Sequence, residues 1–180
     1  MIKDPTLLAA IRAQAGALKI PAGSALKAAP LLAAMTAPES SWGVRQYRPR
    51  FEAAYYIGGR WYVKSPAVRD DVDAFERCAA MSWGATQIMF TVARELGFRG
   101  RPWDLSVPDA AIRWTIAYLT RRTFASWAAA PTPDLVAPAK TLAQVADSWN
   151  TGSHRDGILP RAEYLEAMSA AYQTAVGFLT

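Results

Sequence analysis

The sequence predicts an all-α protein with one minor β-hairpin, and three features of the chain carry this prediction. Alanine, the residue with the highest helix propensity, is abundant, whereas the strand-favouring residues Val and Ile are sparse. Along most of the chain, apolar residues recur at spacings of three and four, as they do on one face of a helix. Only residues 55–63 show two short strand-like runs, which two glycines separate.

The N-terminal part of the chain predicts two helices. Asp4 is a candidate N-cap and Pro5 suits the first helical position, so residues 1–20 are expected to hold the first helix. A second helix is predicted from about Ser24 to Ser40. Pro30 lies inside that pattern, so this helix either starts near Pro30 or bends there.

The segment 50–70 follows and holds the predicted hairpin. Tyr55–Ile57 and Trp61–Val63 are the two apolar runs, and Gly58 and Gly59 between them suit a tight turn. We expect a two-stranded ribbon here, too small to form a sheet domain of its own.

The rest of the chain predicts five further helices joined by short loops. Acidic residues near the start of segment 68–81 suit the helix dipole, Gly97 closes segment 84–97, and Ser106 is a candidate cap for segment 106–124. The last two helices are predicted over 141–150 and 160–176, and the Ala/Pro-rich residues 128–138 are expected to form a loop.

Length and charge limit the classes of protein to consider. A chain of 180 residues without a Ser/Gly-rich linker predicts a single domain over residues 1–180. The net charge of +5 favours polyanionic partners such as nucleic acid, anionic lipid or bacterial cell wall. The arginines are scattered, so we expect no nucleic-acid-binding arm. With no run of about 18 apolar residues, we expect no membrane insertion, and the N-terminus lacks the apolar core of a signal peptide.

Cysteine and histidine are each present only once. Cys78 alone cannot form an intramolecular disulfide, and no Cys/His cluster has zinc spacing. A histidine-dependent nucleophile could use only His154. We therefore expect neither a metal nor an organic cofactor, and triad chemistry is disfavoured.

The stretch TAPESSWG, residues 36–43, is the first candidate functional motif. Glu39 follows the apolar residues 31–35, and Trp42 comes within a turn, so the carboxyl can be flanked by apolar surface. Desolvation raises the pKa of a carboxylic acid, and an acid that stays protonated near neutral pH can protonate a leaving oxygen. A solvated helix end is the competing interpretation, and this motif alone does not exclude it.

Two further segments, taken with Glu39-Ser40, carry a resemblance to a known family. Gly84-Ala85-Thr86-Gln87-Ile88-Met89 precedes a predicted helix, and Trp149-Asn150-Thr151-Gly152 ends another. In this order, over roughly residues 25–170, the three boxes resemble the lysozyme-like lytic transglycosylases, the SLT type related to goose lysozyme. The stretch RPRFEAAYY is also similar to a short segment of phage and bacterial N-acetylmuramidase domains.

The resemblance implies a lysozyme-like helical domain that cleaves the β-1,4 bond between N-acetylmuramic acid (MurNAc) and N-acetylglucosamine (GlcNAc). Glu39 would act first as general acid and then as general base, closing a 1,6-anhydro ring without a second carboxylate. Trp149 stands where the family usually has Tyr, and an indole can donate but not accept a hydrogen bond. The residues expected to bind substrate or support the acid are Ser40, Gln87, Met89, Trp149, Asn150 and Tyr164.

Two other functions remain open from the sequence. A hydrolytic muramidase would need a second carboxylate, for which Glu52, Asp70 and Asp71 are the candidates. A catalytically silent wall-binding or virion module is the alternative from a different class. Several candidates also have structural interpretations: Gln87 as an ordinary helix residue, and Ser40 or Asn150 as a cap.

The partners and location follow from the same resemblance. We expect peptidoglycan glycan strands as the substrate, no nucleic acid, and a monomer. With no predicted leader, action at the bacterial cell wall or periplasm would suit a phage-encoded lysin released by a holin, or a virion-associated lysozyme.

Overall fold

The computed structural model describes residues 1–45, 47–52, 56–57, 60–61, 74–124, 139–151 and 162–179. These residues are mainly helical, which confirms the predicted fold class. The α-helices in the described ranges are α1 (Pro5–Gln14), α2 (Ala28–Ser40), α3 (Phe90–Glu95), α4 (Pro108–Tyr118), α5 (Leu142–Thr151) and α6 (Ala162–Leu179). Shorter 3-10 segments cover Ala15–Ala17, Glu76–Ala80 and Pro102–Ser106, and a π-helical turn covers Leu119–Thr123.

The first helix begins where the sequence predicts, and the second begins at Ala28, which fits the predicted start near Pro30 and not the one at Ser24. The Asp4 side chain accepts a hydrogen bond from the Thr6 amide at 2.8 Å, and Pro5 takes the first position of α1. The helix α2 starts at Ala28, so Pro30 lies in its first turn and causes no bend. A proline is tolerated there because an amide in the first turn has no partner within the helix.

Five short strands make up the β structure of the described residues. They are β1 (Arg50–Phe51), β2 (Tyr56–Ile57), β3 (Arg60–Trp61), β4 (Met81–Trp83) and β5 (Ile88–Met89). The antiparallel pair β2–β3 places Tyr56 opposite Trp61, as expected for the hairpin. Its turn residues lie outside the described residues, as do the expected strand residues Tyr55 and Tyr62–Val63, and the expected loop 128–138.

The other three strands form a sheet in the order β1-β4-β5, which corrects the helix predicted over 84–97. Gly84 to Gln87 form a turn between β4 and β5, and helical structure begins only at Phe90. Gly84 and Gln87 both have positive φ angles, 78° and 53°, which a right-handed helix cannot include.

One other predicted helix and one predicted helix cap also differ from the structure. Of the helix expected over 68–81, only Glu76–Ala80 is helical, as a 3-10 segment that leads into β4; residues 68–73 lie outside the described residues. Ser106 ends a 3-10 segment and does not cap α4. Val107 takes the N-cap position without a side-chain bond, and Pro108 begins α4.

The core surrounds α2, which packs most extensively against α6. Residues 30–36 of α2 are all buried, and all but Thr36 are apolar, so this helix is buried on every side for about two turns. A second buried cluster around Ile88, Phe90 and Leu105 lies beneath the β4–β5 hairpin. Because Glu39 lies at the end of this buried helix, its carboxyl is largely shielded from solvent. In the described part of the chain, no helix is both long and apolar enough to span a membrane.

Candidate active site

The helix α2 ends in a tight turn immediately after Glu39. Ser41, Trp42 and Gly43 all adopt left-handed conformations, with φ angles of 54°, 63° and 87°. The Ser41 amide donates to the carbonyl of Ala37 and the Trp42 amide to that of Thr36, both at 3.0 Å. Each non-glycine residue in this region costs about 1–2 kcal/mol, so the surrounding packing holds a strained reversal beside Glu39.

Ser40 fastens this turn to the β4–β5 turn. Its hydroxyl is fully buried, donates to the carbonyl of Ala85 and accepts from the amide of Gly43 at 3.0 Å. A hydroxyl so engaged is not exposed to a substrate. Of the two roles expected for Ser40, the structure therefore supports that of fixing the backbone next to Glu39 and not direct substrate binding.

Side chains from three separate elements contact the Glu39 carboxyl. The Tyr164 hydroxyl, on α6, donates to Glu39 Oε1 at 2.8 Å. Arg50 Nη1, on β1, lies 3.6 Å from Glu39 Oε2, and the Trp149 side chain, on α5, gives a further hydrogen bond. Only 6% of the Glu39 side chain is exposed. The expected neighbours Trp149 and Tyr164 therefore do lie at Glu39.

Burial dominates the acidity of Glu39. Desolvation raises its pKa from the ordinary 4.5 to about 7, against the lowering effects of the Tyr164 hydrogen bond, the Arg50 charge and the Trp149 hydrogen bond. The nearby negative charge of Glu52 adds a small increase to the pKa. Both the protonated and the ionised form of Glu39 are consequently accessible near neutral pH, so that this one group can both give and take a proton.

Tyr164 remains a hydrogen-bond donor throughout the working pH range. Its own burial, followed by the Glu39 charge, raises the pKa of its hydroxyl well above 10. Because the hydroxyl bond is stronger to the ionised carboxylate than to the neutral acid, Tyr164 favours the ionised form of Glu39.

Replacement of Tyr164 by Phe should therefore raise the pKa of Glu39 by about one further unit, since a bond to a charged group is worth about 1.5–3 kcal/mol. Carbon-13 NMR titration of the Glu39 carboxyl measures this shift directly. Tyr172→Phe is the matched control, because Tyr172 is also a buried tyrosine of α6 but accepts from the Lys27 amide instead. An unchanged pKa in Tyr164→Phe, or an equal shift in the control, would contradict the assignment.

A second set of polar side chains extends from Arg50 along the sheet. Arg50 Nε donates to Glu52 Oε1 at 2.6 Å. The Ser82 hydroxyl, on β4, lies 3.0 Å from the same Glu52 oxygen and 3.1 Å from Gln87 Oε1. The Glu52 amide also donates to the carbonyl of Ala80 at 2.8 Å, which fixes the backbone of Glu52 against β4. Glu52, one of three expected candidates for a second carboxylate, is thus joined to Glu39 through Arg50.

Gln87 is occupied by the protein itself. Its Nε2 donates to the carbonyl of Gly84 at 2.9 Å, its Oε1 faces Ser82, and the residue is only 7% exposed. In this arrangement Gln87 braces the β4–β5 turn, and its Oε1 and Glu52 Oε1 are alternative acceptors for the single proton of the Ser82 hydroxyl. Met89 is half-buried on β5, opposite Ser82 in the sheet. Neither side chain presents an open polar group to a ligand.

The remaining expected residues divide between the surface and the chain outside the described ranges. Asn150 is exposed beside Trp149 in the last turn of α5. The Trp149 ring is half-buried and packs edge-on against Tyr118, with ring centroids 4.9 Å apart. Asp70 and Asp71 lie outside the described residues.

Sequence reasoning missed Arg50 and Ser82. Arg50 looks like one of several scattered surface arginines, although it stands two residues before Glu52. That spacing places two side chains on one face of an extended segment. Ser82 carries no signal in the sequence, because its role depends on β1 and β5 pairing on either side of β4.

Among the described residues, no group of three or more His, Cys, Asp or Glu side chains could hold a metal ion. Comparison of the chain with protein families, curated proteins and solved structures found no match. The chemistry of the site is therefore inferred from its geometry.

Proposed function

We propose that this protein is a lysozyme-like glycosidase of bacterial peptidoglycan, which cleaves the MurNAc–GlcNAc β-1,4 bond as a lytic transglycosylase. One observation carries the proposal: Glu39 is a buried carboxyl with a pKa near 7 that also receives hydrogen bonds from Tyr164 and Trp149. Burial keeps the acid protonated for the first step, and the donors stabilise the carboxylate that the first step leaves behind.

In the first step, protonated Glu39 gives its proton to the glycosidic oxygen as the bond from that oxygen to C1 of MurNAc breaks. The muramyl acetamido group assists at C1, so the leaving sugar departs with its new hydroxyl. In the second step, the Glu39 carboxylate takes the proton of the MurNAc C6 hydroxyl, whose oxygen bonds to C1 as the acetamido oxygen leaves C1, and the 1,6-anhydro ring closes. Glu39 is protonated again at the end, so one carboxyl can serve both steps.

The Arg50-linked pair of carboxyls favours a second candidate, hydrolysis by a muramidase. Glu39 and Glu52 both contact the guanidinium of Arg50, at 3.6 Å and 2.6 Å, so the two carboxyls lie on either side of one side chain. Inverting glycosidases hold their two carboxyl groups about 6.5–9.5 Å apart so that a water fits between them. In this reaction Glu52 would take a proton from water while Glu39 protonates the leaving oxygen.

The proposed partners are the glycan strands of peptidoglycan. The protein would act on them as a monomer, at the cell wall or in the periplasm. A net charge of +5 would speed the approach to an anionic wall, and added salt would weaken that effect. Release of a phage-encoded lysin, or delivery on a virion, fits the same substrate.

The products released from purified peptidoglycan test the proposal. Mass spectrometry should detect muropeptides lighter by one water than hydrolytic products, because ring closure replaces the addition of water. Reducing-end muramic acid would support the muramidase instead. If no muropeptides are released while the protein still binds the wall, both reactions are contradicted, and the protein is a catalytically silent wall-binding module.

Glu52→Gln is expected to separate the two reactions. Loss of a general base lowers a hydrolytic rate about 10²–10⁴-fold, whereas ring closure by Glu39 should fall by less than about 10-fold. The rates of reducing-end and anhydro product formation measure this difference. Glu163→Gln is the control, since Glu163 is an exposed carboxyl at the start of α6.

A further inference from the structure

Arg50 makes two unequal contacts with the two carboxyls of the site. The bond from Nε to Glu52 is 2.6 Å long, whereas Nη1 lies 3.6 Å from Glu39. The strand β1 fixes the backbone of Arg50, which pairs with Ser82 on β4. The guanidinium is therefore anchored at Glu52 and reaches Glu39 only loosely.

This inequality has a chemical consequence for an acid that must give up its proton and then take one back. A short, two-bond contact with a guanidinium would hold Glu39 ionised and remove its acidity. At 3.6 Å the attraction is weaker, so burial keeps Glu39 protonated before the reaction. Once the proton leaves, the same guanidinium can close on the new carboxylate.

We propose that Arg50 is a positioning residue that stabilises the transient Glu39 carboxylate. Before the proton leaves, the contact with Glu52 keeps the Arg50 guanidinium from approaching Glu39 closely. This role rests on the proposed function, because it acts between the two proton transfers of Glu39. In this proposal Glu52 has a role even in a transglycosylase, a reaction in which no second carboxylate takes part. Glu52 neutralises part of the Arg50 charge and anchors its side chain.

The groups around Glu39 make the expected effects opposite in sign. Four side chains from the described elements act on the carboxyl: Tyr164 from α6, Trp149 from α5, Arg50 from β1 and Glu52 beyond it. Of these, Arg50 is the positive charge and Glu52 the negative one. Loss of Arg50 should therefore raise the pKa of Glu39, whereas loss of Glu52 should lower it by freeing the guanidinium.

The experiment is a carbon-13 NMR titration of glutamate-labelled protein, with the Glu39 signal assigned by its absence in Glu39→Gln. Arg50→Gln should raise the pKa of Glu39 by about one unit, the low end for a nearby charge, since 57% of the Arg50 side chain is exposed and screened. Glu52→Gln should lower the pKa. Arg48→Gln is the matched control, an exposed arginine of the same segment whose backbone carbonyl accepts from Gln87.

Kinetics on peptidoglycan provide the second readout. Arg50→Gln should lower kcat at least about 10-fold with little change in KM, because the contact strengthens only after the proton has left. Arg50→Lys, which keeps the charge but not the two-sided geometry, should restore most of the pKa and only part of kcat. Circular dichroism establishes that each variant is folded, and Arg50→Lys serves the test if Arg50→Gln is not.

The inference is overturned if both Arg50 variants leave the pKa of Glu39 and kcat unchanged, if Glu52→Gln shifts that pKa upward, or if Arg48→Gln acts like Arg50→Gln. A change in KM alone would also overturn it, since that would indicate substrate attachment and not positioning. The titration needs no turnover. A wild-type protein that releases no muropeptide therefore refutes the proposed function by a different measurement.

Discussion

Glu39→Gln is expected to reduce the turnover of peptidoglycan about 10³-fold and, at the same time, to make the protein more stable at pH 8. The amide has no proton to give to a glycosidic oxygen and cannot take one from a C6 hydroxyl. It nevertheless fits the same position, and its oxygen can still accept from Tyr164, which now donates to Glu39 at 2.8 Å.

The gain in stability follows from the direction of the pKa shift. Glu39 has a pKa of about 7 in the folded protein and an ordinary value of 4.5. The folded state therefore binds this proton more tightly, and its contribution to stability is complete below pH 4.5 and lost as pH rises through 7. Above that range the ionised, buried carboxylate lowers the free energy of unfolding by about 3 kcal/mol relative to a neutral group.

Urea denaturation of both proteins at pH 4, 6 and 8 measures this effect. The difference in unfolding free energy should be small at pH 4 and grow to about 3 kcal/mol in favour of Glu39→Gln at pH 8. Glu163→Gln, which removes an exposed carboxyl, is the control in the same experiment. A pH-independent difference would mean that Glu39 is not desolvated, and retained turnover would mean that another acid works.

The sequence predicted those parts of the site that depend on local structure. The buried approach of α2 to Glu39 is visible in the run of apolar residues before it, and that run accounts for the direction of the pKa shift. The cap at Asp4 and the pairing of β2 with β3 are also local and were predicted. Tyr164 lies 125 residues from Glu39 in the chain, and only the family resemblance suggested their proximity.

The three-stranded sheet could not be predicted, because its strands are only two or three residues long. No periodicity can be recognised over so few residues, and β1 pairs with β4 some thirty positions along the chain. Residues 84–97 have helical spacing, yet the sheet pairing of β4 and β5 overrides it. The left-handed conformation of Gln87 is likewise uncommon for its residue type and is imposed by the turn.

Gly84→Ala is expected to destabilise the protein by more than about 3 kcal/mol, the second large effect. Gly84 has a φ of +78°, and a Cβ atom there would lie 2.2 Å from the carbonyl oxygen of Leu105 and 2.9 Å from Ala111 Cβ. Both obstacles belong to the fixed backbone and core, so neither can move aside cheaply. The glycine of this box is thus required by the close approach of the turn to residues 102–111.

Gly177→Ala provides a control of opposite sign in the same denaturation experiment. Gly177 lies in α6, and a Cβ atom added there would meet no other atom within 4 Å, so alanine should stabilise the helix by about 0.5–1 kcal/mol. If Gly84→Ala were as stable as the wild type, the turn could not approach Leu105 so closely. If the variant folds, its turnover should still fall, because the Gly84 carbonyl accepts from Gln87 and a displaced turn would move Ser82 away from Glu52. The same glycine therefore links the stability of the sheet to the placement of the carboxylate that anchors Arg50.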